Sequence, residues 1–272
     1  MSQDTQDTMD LNGLRVLVTG AAGGLGRALA ESLHAAGAHL VLTTRTADSL
    51  PGAAAGLDGP AEVVTAVADV RNDAELVAAV KLATERLGGI DVLVNNAGVP
   101  GPAGPAWENS PAEWRHTLEV NLEGPLAACR AVLPGMIERG HGRVVSISSH
   151  AGHTRWPYVS AYSVSKAAVN KLTENLAIEL LPHGITAFSY HPGIVDVGLG
   201  AIEPGTRDSD NPWERRLASW LDAQREAGRY VPLDEAVANL IRLIRGDADA
   251  LTGRYLTYED DIQSLAAATG RA

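Results

Sequence analysis

The feature that most constrains the fold is a regular alternation of short apolar runs with longer helical segments. The runs are rich in Val, Leu and Ile and lie at 14–18, 39–42, 62–67, 90–94, 143–147 and 186–190. Such runs are typical of strands buried on both faces. Segments with helical spacing lie at 25–36, 73–87, 111–139 and 160–181. This order predicts right-handed crossovers, and therefore a single α/β domain with a doubly wound parallel sheet of the Rossmann type.

The domain boundaries follow from length and local composition. The chain has 272 residues, 45% of them hydrophobic, and is predicted to form one domain over residues 11–272. Residues 1–10 are polar, lack the pattern of a signal peptide and are expected to form a disordered tail. A helix at 233–244 and a strand at 254–257 are predicted near the end, and the Ala- and Gly-rich stretch 51–60 is predicted to be a surface loop.

One long segment breaks this regularity after the sixth strand. Residues 197–231 are charged and are punctuated by Gly, Pro and Asp, yet they carry Trp213, Trp220 and Tyr230. A substrate lid has this composition, and so does a plain surface excursion with a short helix around 213–225. The segment is therefore a candidate lid, with both interpretations open.

Net charge and cysteine content exclude several classes of function. The formal net charge is −11, without any basic run, so neither nucleic acid nor an anionic membrane is expected as a partner. No apolar stretch is long enough to cross a bilayer. The single cysteine, Cys129, cannot form an internal disulfide. We therefore expect a cytoplasmic protein that acts on a small molecule.

A glycine-rich turn directly follows the first strand. Its sequence is TGAAGGLG, and it leads straight into a helical pattern. Glycine lets the backbone approach a pyrophosphate, while the N-terminus of the next helix offers free N–H groups and the positive end of its dipole. The strand-to-helix setting favours a dinucleotide site over an ordinary tight turn. The candidate contacts are Gly20, Gly24, Leu25 and Gly26.

The end of the second strand bears on the choice between NAD and NADP. NAD-selective sites carry Asp or Glu there to hold the ribose hydroxyls, whereas this chain has Thr43, Thr44, Arg45 and Thr46. The Arg45 guanidinium can instead pair with an adenosine 2′-phosphate. The sequence therefore predicts NADP(H), with NAD(H) less favoured, and the alternative is that Arg45 is a solvated loop cation.

Further short motifs follow in order along the chain. They are Asp69-Val70 after the third strand, Asn95-Asn96-Ala97-Gly98 after the fourth, Asn121 in a long helix, and then Ser149, Tyr162 and Lys166. Each is common by chance. Together with the glycine turn, their order and spacing resemble the classical short-chain dehydrogenase/reductase family over residues 11–258. The resemblance implies an oxidoreductase with a catalytic set of Asn121, Ser149, Tyr162 and Lys166.

The resemblance also implies contacts for the cofactor. Beyond the glycine turn they are Asp69 and Val70 at the adenine, Asn95, Ala97 and Gly98 at the turn on the adenosine side, Pro192, Gly193 and Ile194 beside the nicotinamide, and Tyr162 and Lys166 at its ribose. Val197 stands where many members of the family carry a threonine that contacts the carboxamide. That contact is then left to the backbone or to another group.

The chemistry depends on the spacing of Tyr162 and Lys166. They are four residues apart on a predicted helix, so they share one face. A free tyrosine has a pKa near ~10, and a nearby ammonium lowers it by favouring the phenolate. We expect Lys166 to supply this ammonium and Ser149 to orient the substrate oxygen. By resemblance, Asn121 holds a water that links Lys166 to solvent.

The pocket walls are expected at 99–107, in the loop around Trp156 and in the candidate lid. His150 and His153 lie close together, but without a third ligand no metal site is predicted. The tryptophans of these segments favour an apolar or cyclic substrate.

The expected reaction is hydride transfer between nicotinamide and a carbonyl or secondary alcohol, with Tyr162 as the general acid and base. The alternatives are an epimerase or dehydratase on the same scaffold and a dinucleotide-binding protein without turnover. The glycine turn also fits the extended branch of the family, but the length of the chain favours the classical branch. By resemblance, a homotetramer or dimer is expected through the helices around Asn121 and Tyr162.

Overall fold

Seven strands form one parallel sheet. A computed structural model describes residues 10–269 of the chain. The strands are β1 (Arg15–Thr19), β2 (His39–Thr44), β3 (Val63–Val67), β4 (Val92–Asn95), β5 (Gly142–Ile147), β6 (Ile185–His191) and β7 (Tyr255–Thr257). Their order across the sheet is β3-β2-β1-β4-β5-β6-β7, and every neighbouring pair is parallel. The predicted doubly wound Rossmann-type fold is confirmed.

Helices cover both faces of this sheet. They are α1 (Gly24–Ala35), α2 (Leu50–Ala54), α3 (Asp73–Leu87), α4 (Pro111–Leu118), α5 (Gly124–Arg139), α6 (Ser160–Leu180), α7 (Pro212–Glu226), α8 (Leu233–Arg245) and α9 (Ile262–Thr269). Side chains that alternate along each strand enter two separate cores. On β1, Val16 and Val18 pack with α1 and α8, whereas Leu17 packs with α3, α5 and α6. This two-sided burial explains why the strands are apolar throughout.

One predicted loop is partly a helix. Residues 51–60 were expected to form a surface loop, yet α2 extends into them. Pro51 lies in the first turn of α2, where its missing N–H removes no helical bond. Ala53 is fully buried against the first core. Contact with that core stabilises a short helix that composition alone does not indicate.

The long helix predicted over 111–139 is interrupted in its middle. A π-helical turn, Glu119–Glu123, separates α4 from α5 and contains Asn121. Pro125 has no N–H to donate to the carbonyl of Asn121, its partner in an α-helix. Gly124 packs so closely on Val70 that a Cβ there would lie 2.7 Å from Val70 Cγ2. The helix is thus interrupted for two reasons: Pro125 cannot donate the local hydrogen bond, and Gly124 packs against the distant Val70.

The candidate lid, residues 197–231, folds around a helix. The short helix expected around 213–225 is present as α7. Arg225 of α7 pairs with Asp196, and Asn211 donates to the carbonyl of Ala103 at 3.3 Å. These contacts hold α7 over the carboxyl edge of the sheet.

The ends of the chain are only partly described. Residues 1–9 of the predicted tail lie outside the described residues, as do residues 270–272 of the predicted domain, whereas Asp10 is exposed. Among residues 10–269, no helix is both long and apolar enough to span a membrane.

Candidate active site

A cavity of about 500 Å³ opens at the carboxyl edge of the sheet, where the strand order reverses between β1 and β4. Ligands of doubly wound proteins bind at such a switch point. The predicted site residues that line it are Gly20, Gly24, Leu25, Arg45, Asp69, Val70, Ala97, Gly98, Ser149, Tyr162, Lys166, Pro192, Gly193 and Ile194. Three other predicted site residues do not line the cavity and lie behind residues that do: Gly26, Asn95 and Asn121. The fold therefore gathers most of the predicted residues around one space.

The glycine turn is shaped by two close backbone approaches. Gly20 has a φ of +66°, and a Cβ there would lie 2.9 Å from the Cα of Ala97. A Cβ at Gly26 would lie 2.5 Å from Asn96 Nδ2. That amide donates to the carbonyls of Thr19 and Gly20 at 2.9 and 3.0 Å. Gly26 thus makes room for the amide that fixes the turn, rather than facing the cavity.

The N-terminus of α1 is open toward this cavity. Its cap residue, Gly23, is extended, and no described side chain caps the helix. Gly24 and Leu25, the first two residues of α1, line the cavity. Unpaired N–H groups at a helix start, together with the helix dipole, bind phosphate. The turn therefore fits the diphosphate of a dinucleotide.

The far end of the cavity carries the residues expected at the adenosine. Asp69 is paired with Arg71 at 2.6 Å, and this contact lowers the pKa of Asp69. Arg45 is exposed at the same end. Beside it, the hydroxyls of Thr46 and Ser49 are 2.9 Å apart. Ser49 was not singled out in the sequence, because it becomes a neighbour of the site only through the turn into α2.

Tyr162 and Lys166 lie one turn apart on α6 and face the cavity. Lys166 is 4% exposed, and its Nζ donates to the carbonyl of Ile147 at 2.7 Å. The same Nζ lies 5.6 Å from the centre of the Tyr162 ring. Ser149, just after β5, lines the cavity beside Tyr162, and its side chain acts to lower the pKa of Tyr162. A phenol, an amine and a hydroxyl therefore line the same part of the cavity.

Burial controls the charge state of this group. It raises the pKa of Tyr162, while the nearby Ser149 side chain acts in the opposite direction. Burial also lowers the pKa of Lys166 to about 8. Tyr162 is therefore protonated at neutral pH in this structure. Lys166 was expected to lower the pKa of Tyr162, but in this structure burial raises that pKa instead.

Asn121 and Asn95 support the cavity from behind. Asn121 is fully buried; its side chain accepts from the Val99 N–H at 2.8 Å and donates to the Val99 carbonyl at 2.9 Å and to Ser165 Oγ at 3.1 Å. Asn95 donates to Ser146 Oγ at 3.3 Å. Each amide thus links two segments of the chain whose other residues line the cavity. The water that Asn121 is expected to hold stays a prediction.

The end of the cavity where the nicotinamide is expected is closed by the segment after β6. Gly193 has a φ of +83°, and the carbonyl of Ile194 accepts from the Val231 N–H at 2.8 Å. From the candidate lid, Val197, Leu199, Leu217, Trp220 and Leu221 line the cavity. Trp107, at the end of another expected wall, is 84% exposed and contributes nothing to it.

His191 is a lining residue that sequence reasoning missed. It is 6% exposed, and within residues 10–269 its Nδ1 has no hydrogen-bond partner. Its ring centre lies 4.2 Å from that of His150, whose Nδ1 lies 3.0 Å from the Tyr255 hydroxyl. Burial lowers the pKa of His191 to about 3, and His150 adds to the effect. The signal available in the sequence was a histidine at the end of a buried strand.

This buried histidine predicts a loss of stability in acid. Folded His191 stays neutral down to about pH 3, whereas the unfolded side chain binds a proton near pH ~6.5. The contribution of His191 to the free energy of unfolding is therefore fully present above about pH 6.5 and is lost progressively as the pH falls below it. The loss reaches about 1.4 kcal/mol per pH unit. Denaturant unfolding of a His191→Gln variant should show a weaker loss between about pH 7.5 and 5 than the wild type. Equal losses in both proteins would contradict this origin.

Comparison with known proteins places this arrangement in a family. The family model described as short chain dehydrogenase matches residues 15–204. The chain belongs to the short-chain dehydrogenase family. The predicted family is confirmed, and this short-chain dehydrogenase is an oxidoreductase that acts on an alcohol or carbonyl group of a small molecule.

Relatives extend the likeness over nearly the whole chain. Levodione reductase of Leifsonia aquatica is 35% identical over 236 residues, which cover 86% of this chain and 88% of that protein. A gluconate 5-dehydrogenase from Burkholderia cenocepacia J2315, solved with NADP and tartrate, is 31% identical with a TM-score of 0.81 and covers 96% and 99% of the two chains. A xylitol dehydrogenase solved with NAD+ is 28% identical with a TM-score of 0.81, and the match covers 90% of this chain and 97% of that chain.

Proposed function

We propose that this short-chain dehydrogenase is an NADP(H)-dependent ketoreductase or alcohol dehydrogenase in which Tyr162 transfers the proton. The observation that carries the proposal is the meeting of Tyr162, Lys166 and Ser149 in the cavity onto which the uncapped N-terminus of α1 opens. A proton donor and a dinucleotide site in one space suit reversible hydride transfer.

Three side chains have separate roles in the proposed reduction. When bound, the nicotinamide supplies the hydride that the protein lacks. Ser149 orients the substrate oxygen by a hydrogen bond, and Tyr162 gives its proton to that oxygen as negative charge develops. The Lys166 ammonium stabilises the phenolate left behind. Because burial keeps Tyr162 protonated, the group is set for reduction at neutral pH.

The preference for NADP(H) rests on Arg45. It is exposed at the adenosine end, with the Thr46 and Ser49 hydroxyls beside it. Residues 43–46, at the end of β2, include no carboxylate that could hold both ribose hydroxyls. Structures of relatives contain either NADP or NAD+, so the likeness to them does not choose between the cofactors.

The candidate lid and an oligomer belong to the same proposal. Helix α7 contributes Leu217, Trp220 and Leu221 to the cavity, which suits a cover over an apolar or cyclic substrate. On the outer face of α6, Val164 is 48% exposed and Ile178 74% exposed. Apolar side chains exposed on one helix suit contact with a second copy, as a tetramer or dimer requires. The cytoplasmic location stays a prediction.

The proposed function is tested with purified protein, NADPH and a panel of ketones, diketones and cyclic alcohols. We expect the absorbance of reduced nicotinamide to fall with at least one carbonyl compound, and faster than with NADH. Binding of NADPH without consumption across the panel would contradict the proposal and favour a protein without turnover. Tight retention of cofactor with inversion of a substrate centre would favour an epimerase.

A further inference from the structure

A second cavity, of about 240 Å³, lies between residues 155–159 and α7. We call it the outer cavity. It shares Trp156, Val159, Leu217 and Trp220 with the active-site cavity. Sites for whole drug-sized ligands have volumes of about 300 to 1,000 Å³. The outer cavity therefore suits one end of a molecule whose other end lies in the active site.

Four aromatic side chains line the outer cavity. Tyr158 and Trp213 are stacked, with ring centres 4.4 Å apart and an interplanar angle of 23°. Trp156 and Trp220 meet edge to face, with ring centres 4.5 Å apart. Such walls favour a flat ring as the occupant, because ring faces and edges attract one another beyond simple burial.

The backbone at Tyr158 is held in an unfavourable conformation. With a φ of +69°, Tyr158 is the one non-glycine residue at positive φ within residues 10–269. Its carbonyl accepts from the Gly104 N–H at 2.8 Å, which ties the loop to a neighbouring segment. Backbone strain persists where surrounding contacts fix it, and it occurs often at ligand sites. The Tyr158 ring is thus placed on the wall against the local preference of the chain.

Two arginines without acidic partners border this aromatic wall. Arg155 and Arg216 are exposed and line the outer cavity, and neither pairs with a carboxylate among the described residues. The Arg216 guanidinium lies 5.2 Å from the centre of the Tyr158 ring. Arg225, on the same helix, is instead paired with Asp196.

What distinguishes this pair of arginines is that both line the same cavity. It carries 33 acidic against 22 Lys and Arg residues, so carboxylates outnumber their possible partners. Two guanidinium groups left without a carboxylate beside one cavity are complementary to an anion that comes from outside the chain.

We propose that the outer cavity is a substrate subsite that takes a planar ring bearing a carboxylate, at the end of the substrate remote from the reacting carbonyl. The ring lies against Trp156 and Trp220, and the carboxylate pairs with Arg155 and Arg216. The assignment rests on the proposed function, since the reacting carbonyl lies at Tyr162. It narrows the substrate class to aromatic keto acids and the corresponding hydroxy acids.

The test compares aryl methyl ketones that carry a para carboxylate with their methyl esters, over linkers of increasing length between ring and carbonyl. At one linker length, we expect kcat/KM of the acid to exceed that of the ester by about tenfold, mainly through KM. An Arg155→Gln/Arg216→Gln variant should lose this preference, because it lacks the charges that distinguish the acid from the ester. Arg215→Gln, one residue earlier on α7, removes the same charge outside the cavity and should keep the preference.

A binding measurement separates this subsite from the catalytic proposal. The unreactive 4-propylbenzoate should quench tryptophan fluorescence of the wild type and bind about tenfold more weakly to the double variant. Reduction of acid and ester at equal rates, unaffected by the double variant, would overturn the subsite and leave the ketoreductase intact. If no ketone is reduced, the proposed function fails, and equal 4-propylbenzoate binding by both proteins would overturn the subsite as well.

Discussion

Replacing Tyr162 by Phe is expected to lower kcat for ketone reduction by about 10²- to 10⁴-fold, the range for loss of a general acid. Phe keeps the ring that faces the cavity but removes the proton that the developing alkoxide needs. The KM for NADPH should change little, because we expect the glycine turn and Arg45 to contribute most of the cofactor binding. Steady-state kinetics and direct titration of NADPH measure the two effects separately.

Tyr258→Phe is the matched control for this change. The Tyr258 hydroxyl contacts Glu259 at 3.1 Å, on the surface, so its loss should leave kcat within about twofold of the wild type. A Tyr162→Phe variant that binds NADPH and still reduces ketones at nearly the wild-type rate would refute the proposed role of Tyr162.

Replacing Arg45 by Gln should raise the KM for NADPH by about 10- to 100-fold and leave that for NADH unchanged. Gln keeps a side chain of similar length, but it loses the charge that pairs with a 2′-phosphate. Because NADH has no such phosphate, the substitution should reduce the preference for NADPH over NADH rather than the affinity for both cofactors. Initial rates over a series of concentrations of each cofactor measure the change.

Arg45→Lys tests the part played by geometry. It keeps the charge but lacks the planar pair of donors, so its KM for NADPH should fall between those of the wild type and Arg45→Gln. A wild type that prefers NADH, or an Arg45→Gln variant that affects both cofactors equally, would show that Arg45 is only a surface cation.

Local signals explain which elements could be predicted from the sequence. Helix α3 has the predicted bounds because both ends are marked nearby in the chain. Asn72 caps its start by accepting from the Ala74 N–H at 3.1 Å, and Gly88 ends it with a φ of +80°. The strands were recognisable for the same reason, since each is buried on both faces along its own length.

Contacts between distant segments explain what the sequence could not show. The π-helical turn depends partly on Val70 lying against Gly124, and α2 depends on burial of Ala53 in the first core. The outer cavity requires Tyr158 to meet Trp213, some fifty residues later in the chain. The motif residues of the site were recognisable from spacing and resemblance, whereas these neighbours become visible only when the chain is folded.

The strand order has a consequence for how the chain assembles during synthesis. After β1, each new strand joins an outer edge of the sheet already formed: β2 and β3 extend one edge, and β4 to β7 extend the other in sequence. No strand has to be inserted between two that are already paired. Chains are made from the N-terminus at about 5 to 20 residues per second, so β1, β2 and β3 can pair before the later strands have been made. The wall of the cavity formed by the end of β6 and by α7, where we propose that the substrate lies, is then completed last.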